Sequence, residues 1–280
     1  MVMQADNYLL RNSKKIARIV KDPVAAWARF YDRMDYRIEY ARPPCTYHPD
    51  RDWERHLHER IGVDFPCDAV AEFHELWPRI AALVAAKGYQ FGPESYLGWN
   101  DGDPELVRAA WCLVRHLRPT NVVETGVGHG VTTRFILEAL ERNGHGKLWS
   151  IDLPPSNEAA AAQVAIAVDG FAPERWQLLR GTSRRYLPGL LATLDEIDLF
   201  IHDSLHTRRN VCFEVEQAKR HLTPGGFIVI DDIDTNWGFH ALSEAGSADR
   251  LIVCQSEPVH PDHRRFDDRG LFGVIQTSSR

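Results

Sequence analysis

The chain has 280 residues, 44% of them hydrophobic and 26% charged, and a net charge of −6 at pH 7. That composition excludes a disordered chain, a collagen and a coiled-coil rod, and a chain this long buries a core without disulfides or a structural metal. The acidic balance implies no general polyanion-binding surface and leaves room only for a local basic patch, so no nucleic-acid partner is expected.

Met1 to Lys15 carry no apolar run of the kind a signal peptide needs. Apolar residues then recur at helical spacing from Lys14 to Tyr40 (Ile16, Ile19, Val20, Val24, Trp27, Phe30, Tyr31), until Pro43 and Pro44 break the pattern. The aromatic stripe Trp27, Phe30, Tyr31, Tyr36 and Tyr40 is expected to be helix packing rather than a stacking platform. Further helical stretches are expected at Asp52–Ile61 and Cys67–Lys87, the second kinked at Pro78. Gly88–Asp103, with Gly92, Pro93, Gly98 and Gly102, reads as a connector. Tyr96, Trp99 and Asn100 are placed to close over a crevice.

From residue 104 the pattern alternates. Helices are expected at Pro104–Leu117, Val131–Asn143, Asn157–Asp169, Tyr186–Leu194 and Arg208–Leu222. Strands are expected at Asn121–Glu124, Leu148–Asp152, Trp176–Arg180, Ile197–His202, Phe227–Asp231, Leu251–Gln255 and Leu271–Gln276. The polar stretch His260–Arg269 lies between the last two. Such alternation means a mostly parallel sheet with helices on both faces and a ligand at the carboxyl ends of the strands. The longest small-apolar run, Ala159 to Val168, has about half the length a membrane span requires. The five cysteines, Cys45, Cys67, Cys112, Cys212 and Cys254, form no CxxC pair. They read as free thiols in a reducing, cytoplasmic setting.

The first strand of the alternating half runs into Glu124-Thr125-Gly126-Val127-Gly128-His129-Gly130 and a helix. Glycines here permit a sharp turn and close approach of a ligand. A dinucleotide fingerprint would need a third glycine where Val131 stands. The next strand ends in Asp152, a position suited to ribose hydroxyls and equally to a turn before Pro154 and Pro155. His129 points either to a ligand or to solvent.

The fourth strand of that half ends in His202-Asp203-Ser204-Leu205-His206-Thr207 and the fifth in Asp231-Asp232, with Asp234 and Asn236 beyond. Parallel strands would bring these acids to one crevice. Like charges that close need a cation or a shared proton, and oxygen ligands suit a hard divalent ion. The same residues also suit a helix cap and solvated turns, and His206 an ordinary surface histidine. Trp237, Phe239 and His240 are expected on the substrate side.

On these residues, about 104–280 resemble the class I S-adenosylmethionine-dependent methyltransferases. The resemblance implies that Glu124, Thr125, Gly126, Gly128, Gly130, Asp152 and Asp203 hold the cofactor. Gly181-Thr182-Ser183 resembles a Gly-Asp-Ser near the adenine, with Ser183 retained and Thr182 in place of the aspartate. Asp203…His206, Pro224-Gly225-Gly226 and Asp231-Asp232 resemble bacterial small-molecule O-methyltransferases of the catechol and macrolide-sugar types. That likeness implies Asp203, Asp231 and Asp232 as Mg²⁺ ligands. It makes Asp203 and His206 the catalytic pair, with His206 a candidate base. Leu205 departs from the pattern, since many relatives carry an aspartate there.

The expected fold class is α/β: a Rossmann-like seven-stranded sheet, mostly parallel, with its last strand antiparallel and an N-terminal helical extension. Residues 1–100 would be a lid or dimerisation extension and 101–280 the cofactor-binding domain. The expected partners are a small-molecule acceptor and a second copy of the chain through the N-terminal helices, with no membrane. The expected activity is metal-assisted O-methylation of a small hydroxyl compound. Competing readings are a metal-independent O- or N-methyltransferase using His206, a nicotinamide-dependent oxidoreductase, and a non-catalytic binding protein.

Overall fold

Strands Asn121–Thr125 (β1), Lys147–Asp152 (β2), Trp176–Arg180 (β3), Ile197–His202 (β4), Leu222–Ile230 (β5), Arg250–Gln255 (β6) and Leu271–Gln276 (β7) form one sheet in the order β3-β2-β1-β4-β5-β7-β6. The structure is a computed structural model that describes residues 23–40, 46–88, 104–155, 158–245, 250–255 and 270–278. The helical positions before residue 23, the connector after Gly88 with Tyr96, Trp99 and Asn100, Cys45, and the His260–Arg269 stretch fall outside those residues.

The pairings among β1 to β5 are parallel, and β7 runs antiparallel to both β5 and β6. The sheet therefore has the expected class, its last strand reversed. Chain order reverses at β1, which pairs with β2 on one side and β4 on the other. That switch point, at the carboxyl ends of β1 and β4, is where an open α/β sheet leaves a crevice. Val122, Val123, Leu199, Phe200, Ile201, Ile228, Val229 and Ile230 are all buried, as strands covered on both faces require.

The described helices are Pro23–Tyr40 (α1), Trp53–Arg60 (α2), Asp68–Ala86 (α3), Pro104–Leu117 (α4), Val131–Asn143 (α5), Glu158–Ala161 (α6), Ser183–Leu194 (α7), Arg208–Lys219 (α8) and Gly238–Glu244 (α9). α3 continues through Pro78 without ending. α2 and α3 share one core with α4, α5 and the sheet. Phe73 stacks on Phe135 with ring centroids 4.8 Å apart, and Trp111 Nε1 donates to the Ala69 carbonyl at 2.7 Å.

Two expectations give way. The alanine-rich stretch 158–169 makes only the single turn α6. Ala165 has a φ of 64° and donates its N–H to the Gly128 carbonyl at 2.9 Å, and Ala167 donates to that of His129 at 2.9 Å. The glycine loop, rather than a helix of its own, satisfies these amides. Three residues of the α1 aromatic stripe are not buried: Trp27, Phe30 and Tyr31 pack on one another and remain exposed, with Arg209 over the Tyr31 ring. α1 is anchored instead by Glu39, whose carboxylate accepts the Arg208 N–H at 2.9 Å at the start of α8.

Candidate active site

Four strand tips end side by side. Thr125 is in register with both Ile151 and His202, and His202 with Ile230. The next residues are thus Gly126, Asp152, Asp203 and Asp231. The ladder continues one step past the strands, because Asp203 N donates to Thr125 O at 2.8 Å and Asp231 N to His202 O at 2.9 Å. Parallel register alone brings residues from four separate sequence motifs into one crevice.

Gly126 makes this approach possible. Its φ is +84°, and a Cβ there would lie 1.7 Å from the Asp203 carbonyl oxygen. The glycine loop therefore rests on the tip of β4. Gly130, at φ +80°, begins α5 without a side-chain cap, so first-turn amides face the crevice end of the helix. Asp152, 8% exposed, accepts the Val127 N–H at 2.9 Å. Burial pushes its pKa up, against the lowering effect of the Val127 and Gly128 amides.

Glu124 lies within the packing rather than at the crevice surface. It is 1% exposed, and its Oε2 accepts from Ser150 Oγ at 2.7 Å and Thr133 Oγ1 at 2.9 Å. Period-two alternation turns it away from the loop and onto α5 and β2. Burial raises its pKa to about 7, against those two bonds.

Thr125 and Ser183 also turn inward, to a carboxylate the sequence reading passed over. Fully buried Glu214 on α8 accepts from Thr125 Oγ1 at 2.5 Å, Ser204 Oγ at 2.9 Å and Asn210 Nδ2 at 2.9 Å. It also faces His202 Nδ1 at 2.6 Å and receives a bond from Ser183. One carboxylate thereby joins the tips of β1 and β4 to the first turns of α7 and α8. The legible signal was a glutamate on the apolar stripe Val211, Val215 and Ala218.

Above this buried layer, Asp203, His206 and Asp231 each offer a ligand atom, all within 4.8 Å of one another. His206 Nε2 stands 3.8 Å from Asp203 Oδ1 and 3.7 Å from Asp232 Oδ2. Burial lowers the His206 pKa, partly offset by the Asp232 charge. Asp232, at φ +51°, reaches His206 but stands outside the trio, and its backbone carbonyl holds Asn236 Nδ2 at 2.9 Å. Two carboxylates and an imidazole could hold a divalent cation, but with His206 in the place expected of Asp232 the donor set suits a transition ion better than the expected Mg²⁺. Phe239, expected on the substrate side, is buried in the core, while Trp237 and His240 are half-buried with rings 6.0 Å apart. His129 is buried and pairs with Gln163 Oε1 at 3.1 Å, so it faces the docked segment rather than solvent.

The strand order, the reversed last strand and the glycine loop on β1 define the class I methyltransferase architecture. A family model described as a methyltransferase domain matches residues 123–233, the segment that carries every strand tip above, so this stretch is similar to that family. No curated protein matches the chain significantly. Among solved structures, a Klebsiella pneumoniae protein described as an O-methyltransferase has the same fold, with TM-score 0.52 and 17% identity over 80% of this chain and 94% of that one. The O-methyltransferase TomG of Streptomyces achromogenes, involved in tomaymycin synthesis and solved with S-adenosylmethionine, aligns with TM-score 0.51 and 15% identity over 72% and 88%. An O-methyltransferase of Bacillus cereus in complex with S-adenosylhomocysteine gives 0.50 and 16% over 81% and 97%. No described helix is long and apolar enough to cross a membrane.

Proposed function

We propose that the protein transfers the methyl group of S-adenosylmethionine to a hydroxyl of a small molecule, such as a sugar, a phenol or a natural-product intermediate, with a divalent cation at the acceptor side. The observation that carries this reading is the cluster of Asp203, His206 and Asp231 beside Gly126, which puts a cation-competent donor set against the glycine loop. The uncapped start of α5 and the loop amides suit the cofactor's carboxylate, and Asp152 its ribose hydroxyls.

Asp203, His206 and Asp231 are the residues that would hold the cation. When bound, such an ion supplies Lewis acidity that lowers the pKa of the acceptor hydroxyl. The chain's own contribution is placement. The rigid strand tips hold acceptor and cofactor in line, and proximity of that kind supplies much of a methyl transfer's acceleration. In a second reading no cation sits there and His206 is the base: burial lowers its pKa, and Nε2 accepts the acceptor's proton, with Asp203 and Asp232 beside it to stabilise the resulting charge.

The test is transfer of labelled methyl from S-adenosylmethionine into a small-metabolite extract, with and without EDTA. Labelling that EDTA abolishes and Mg²⁺ or Mn²⁺ restores supports the first reading. Labelling indifferent to EDTA moves the chemistry to His206. Calorimetric binding of a nicotinamide dinucleotide in preference to S-adenosylmethionine would overturn both.

A further inference from the structure

Far along the chain from the strand tips, four side chains with metal-ligating atoms meet where α2, α3 and α4 pack. His58 comes from α2, and Cys67 immediately precedes α3. Cys112 and His116 lie one turn apart on α4, so both project from one face. His58 Nε2 lies 3.2 Å from Cys67 Sγ and His116 Nε2 3.1 Å from the same sulfur. Ligand atoms of His58, Cys67 and Cys112 all lie within 4.8 Å of one another. Both cysteines are free thiols.

Two features separate this from ordinary packing of thiols in a core. First, His58, 1% exposed, has its Nδ1 2.7 Å from the Glu54 carbonyl, a bond that fixes the ring with Nδ1 protonated and the Nε2 lone pair pointing inward, as in metal-binding imidazoles. Second, the Cys67 sulfur is met at once by the inward-facing His58 Nε2, by His116 Nε2 and by the Cys112 thiol, so one thiol gathers three further potential ligands around it. A cation drawn into that gathering would take up the His58 lone pair and both sulfurs, with His116 as the fourth ligand. With metal–sulfur and metal–nitrogen bonds of about 2.3 and 2.05 Å, a tetrahedral sulfur–nitrogen edge is about 3.6 Å, so the two Cys67 edges need lengthen by only a few tenths of an ångström, while His116, which stands outside the trio of His58, Cys67 and Cys112, must swing further inward to complete the set.

We propose that His58, Cys67, Cys112 and His116 form a closed tetrahedral Cys₂His₂ site for a thiophilic divalent metal of the zinc class. Binding releases the two thiol protons and leaves a neutral site. With no open position, its role is structural: it fastens α2 and the start of α3 to α4, which packs against the sheet domain through Trp111 and Phe135. It is independent of the acceptor-side cation.

The experiment is a Co²⁺ titration of the reduced, metal-stripped full-length chain. The expected result is one equivalent bound with thiolate-to-cobalt charge-transfer absorption and the intense visible bands of tetrahedral cobalt, displaced by Zn²⁺, together with a rise in Tm. Asp203, His206 and Asp231 contain no sulfur, so the charge-transfer band reports this site alone. Cys67→Ser and His116→Ala should lose or weaken it. Asp203→Asn should leave it unchanged. Should Cys112→Ser fail to fold, the titration of the unaltered chain decides alone. Absence of the thiolate band in folded, reduced protein overturns the proposal. So does a Cys67–Cys112 disulfide in protein purified under reducing conditions, or cobalt binding that disappears with Asp203→Asn.

Discussion

His202 Nδ1 lies 2.6 Å from Glu214 Oε2, and neither side chain has any exposed surface. The pair sits under the tips of β1 and β4, next to Asp203 in sequence and to His206 in space, with the His202 and His206 rings in a T-shaped contact at 5.6 Å. Removing the buried carboxylate strands the polar groups bonded to it, at a cost of about 3–5 kcal/mol. Glu214→Ala should therefore lose about that much stability in chemical denaturation. Glu214→Gln should lose less. Burial by itself would raise the Glu214 pKa. The His202 charge, with bonds from His202, Ser183 and Thr125, outweighs it and holds the carboxyl down at about 2, against an ordinary 4.5. A depressed carboxylate stabilises the fold fully above pH 4.5, and that contribution is lost as pH falls from 4.5 toward about 2. The wild type should lose stability over that window more steeply than Glu214→Gln. Parallel profiles would contradict the assignment.

Gly126 is the position least able to accept a side chain. A Cβ would overlap the Asp203 carbonyl at 1.7 Å, and the neighbour is backbone, which cannot rotate away. Adding the strain of a positive φ, Gly126→Ala should cost at least about 2 kcal/mol. Gly144→Ala, where the same left-handed backbone meets nothing within 4 Å, isolates the conformational part of that cost. A stability loss at Gly126 no greater than at Gly144 would show that the loop is not seated on β4.

What was legible in the sequence was whatever depends on local periodicity and strand order. β3, β4 and β7 match their expected limits, and the Asp203 and Asp231 positions follow from parallel strands ending together. What was not legible depends on which face a residue takes and on distant partners. Alternation along β1 turns Glu124 and Thr125 in opposite directions, both away from the crevice, and nothing within ETGVGHG marks that. Alanine-rich 158–169 has helix-forming composition, but two of its amides found the carbonyls of Gly128 and His129, on a loop far earlier in the chain. Cys67 and Cys112 form no sequence motif because His58, Cys67 and the Cys112–His116 pair come from separate elements. His206 entered the acidic trio in place of Asp232 because Asp232 takes a left-handed turn and hands its carbonyl to Asn236.

Glu124 has the opposite pH signature from Glu214. Burial raises its pKa to about 7 from an ordinary 4.5, so the folded state holds a proton the unfolded chain has released. The fold should be most favoured below pH 4.5 on this account and should weaken as pH rises from there through about 7. Glu124→Gln keeps an acceptor for Ser150 and Thr133 and has no proton to lose. Its Tm relative to wild type should climb across that range and level off above it. A difference that stays constant with pH would place the titration elsewhere.

Asp231 and Asp232 are adjacent in sequence but not equivalent in the structure. Asp231 offers a ligand atom within 4.8 Å of those of Asp203 and His206, while Asp232 touches the cluster only through His206 Nε2, 3.7 Å away. If the cation belongs to that trio, Asp231→Asn should reduce metal-stimulated methyl transfer by about 100-fold or more. Asp232→Asn, which removes an outer partner of a ligand, should reduce it by about 10-fold and weaken metal affinity rather than abolish it. Both variants leave the ladder bond from Asp231 N to His202 O in place, so the fold should be unaffected. Activity measured against Mg²⁺ and Mn²⁺ concentration separates the two. Equal losses would return Asp232 to the ligand set, and a larger loss for Asp232 would make the Asp203–His206–Asp232 side, not Asp231, the one that binds.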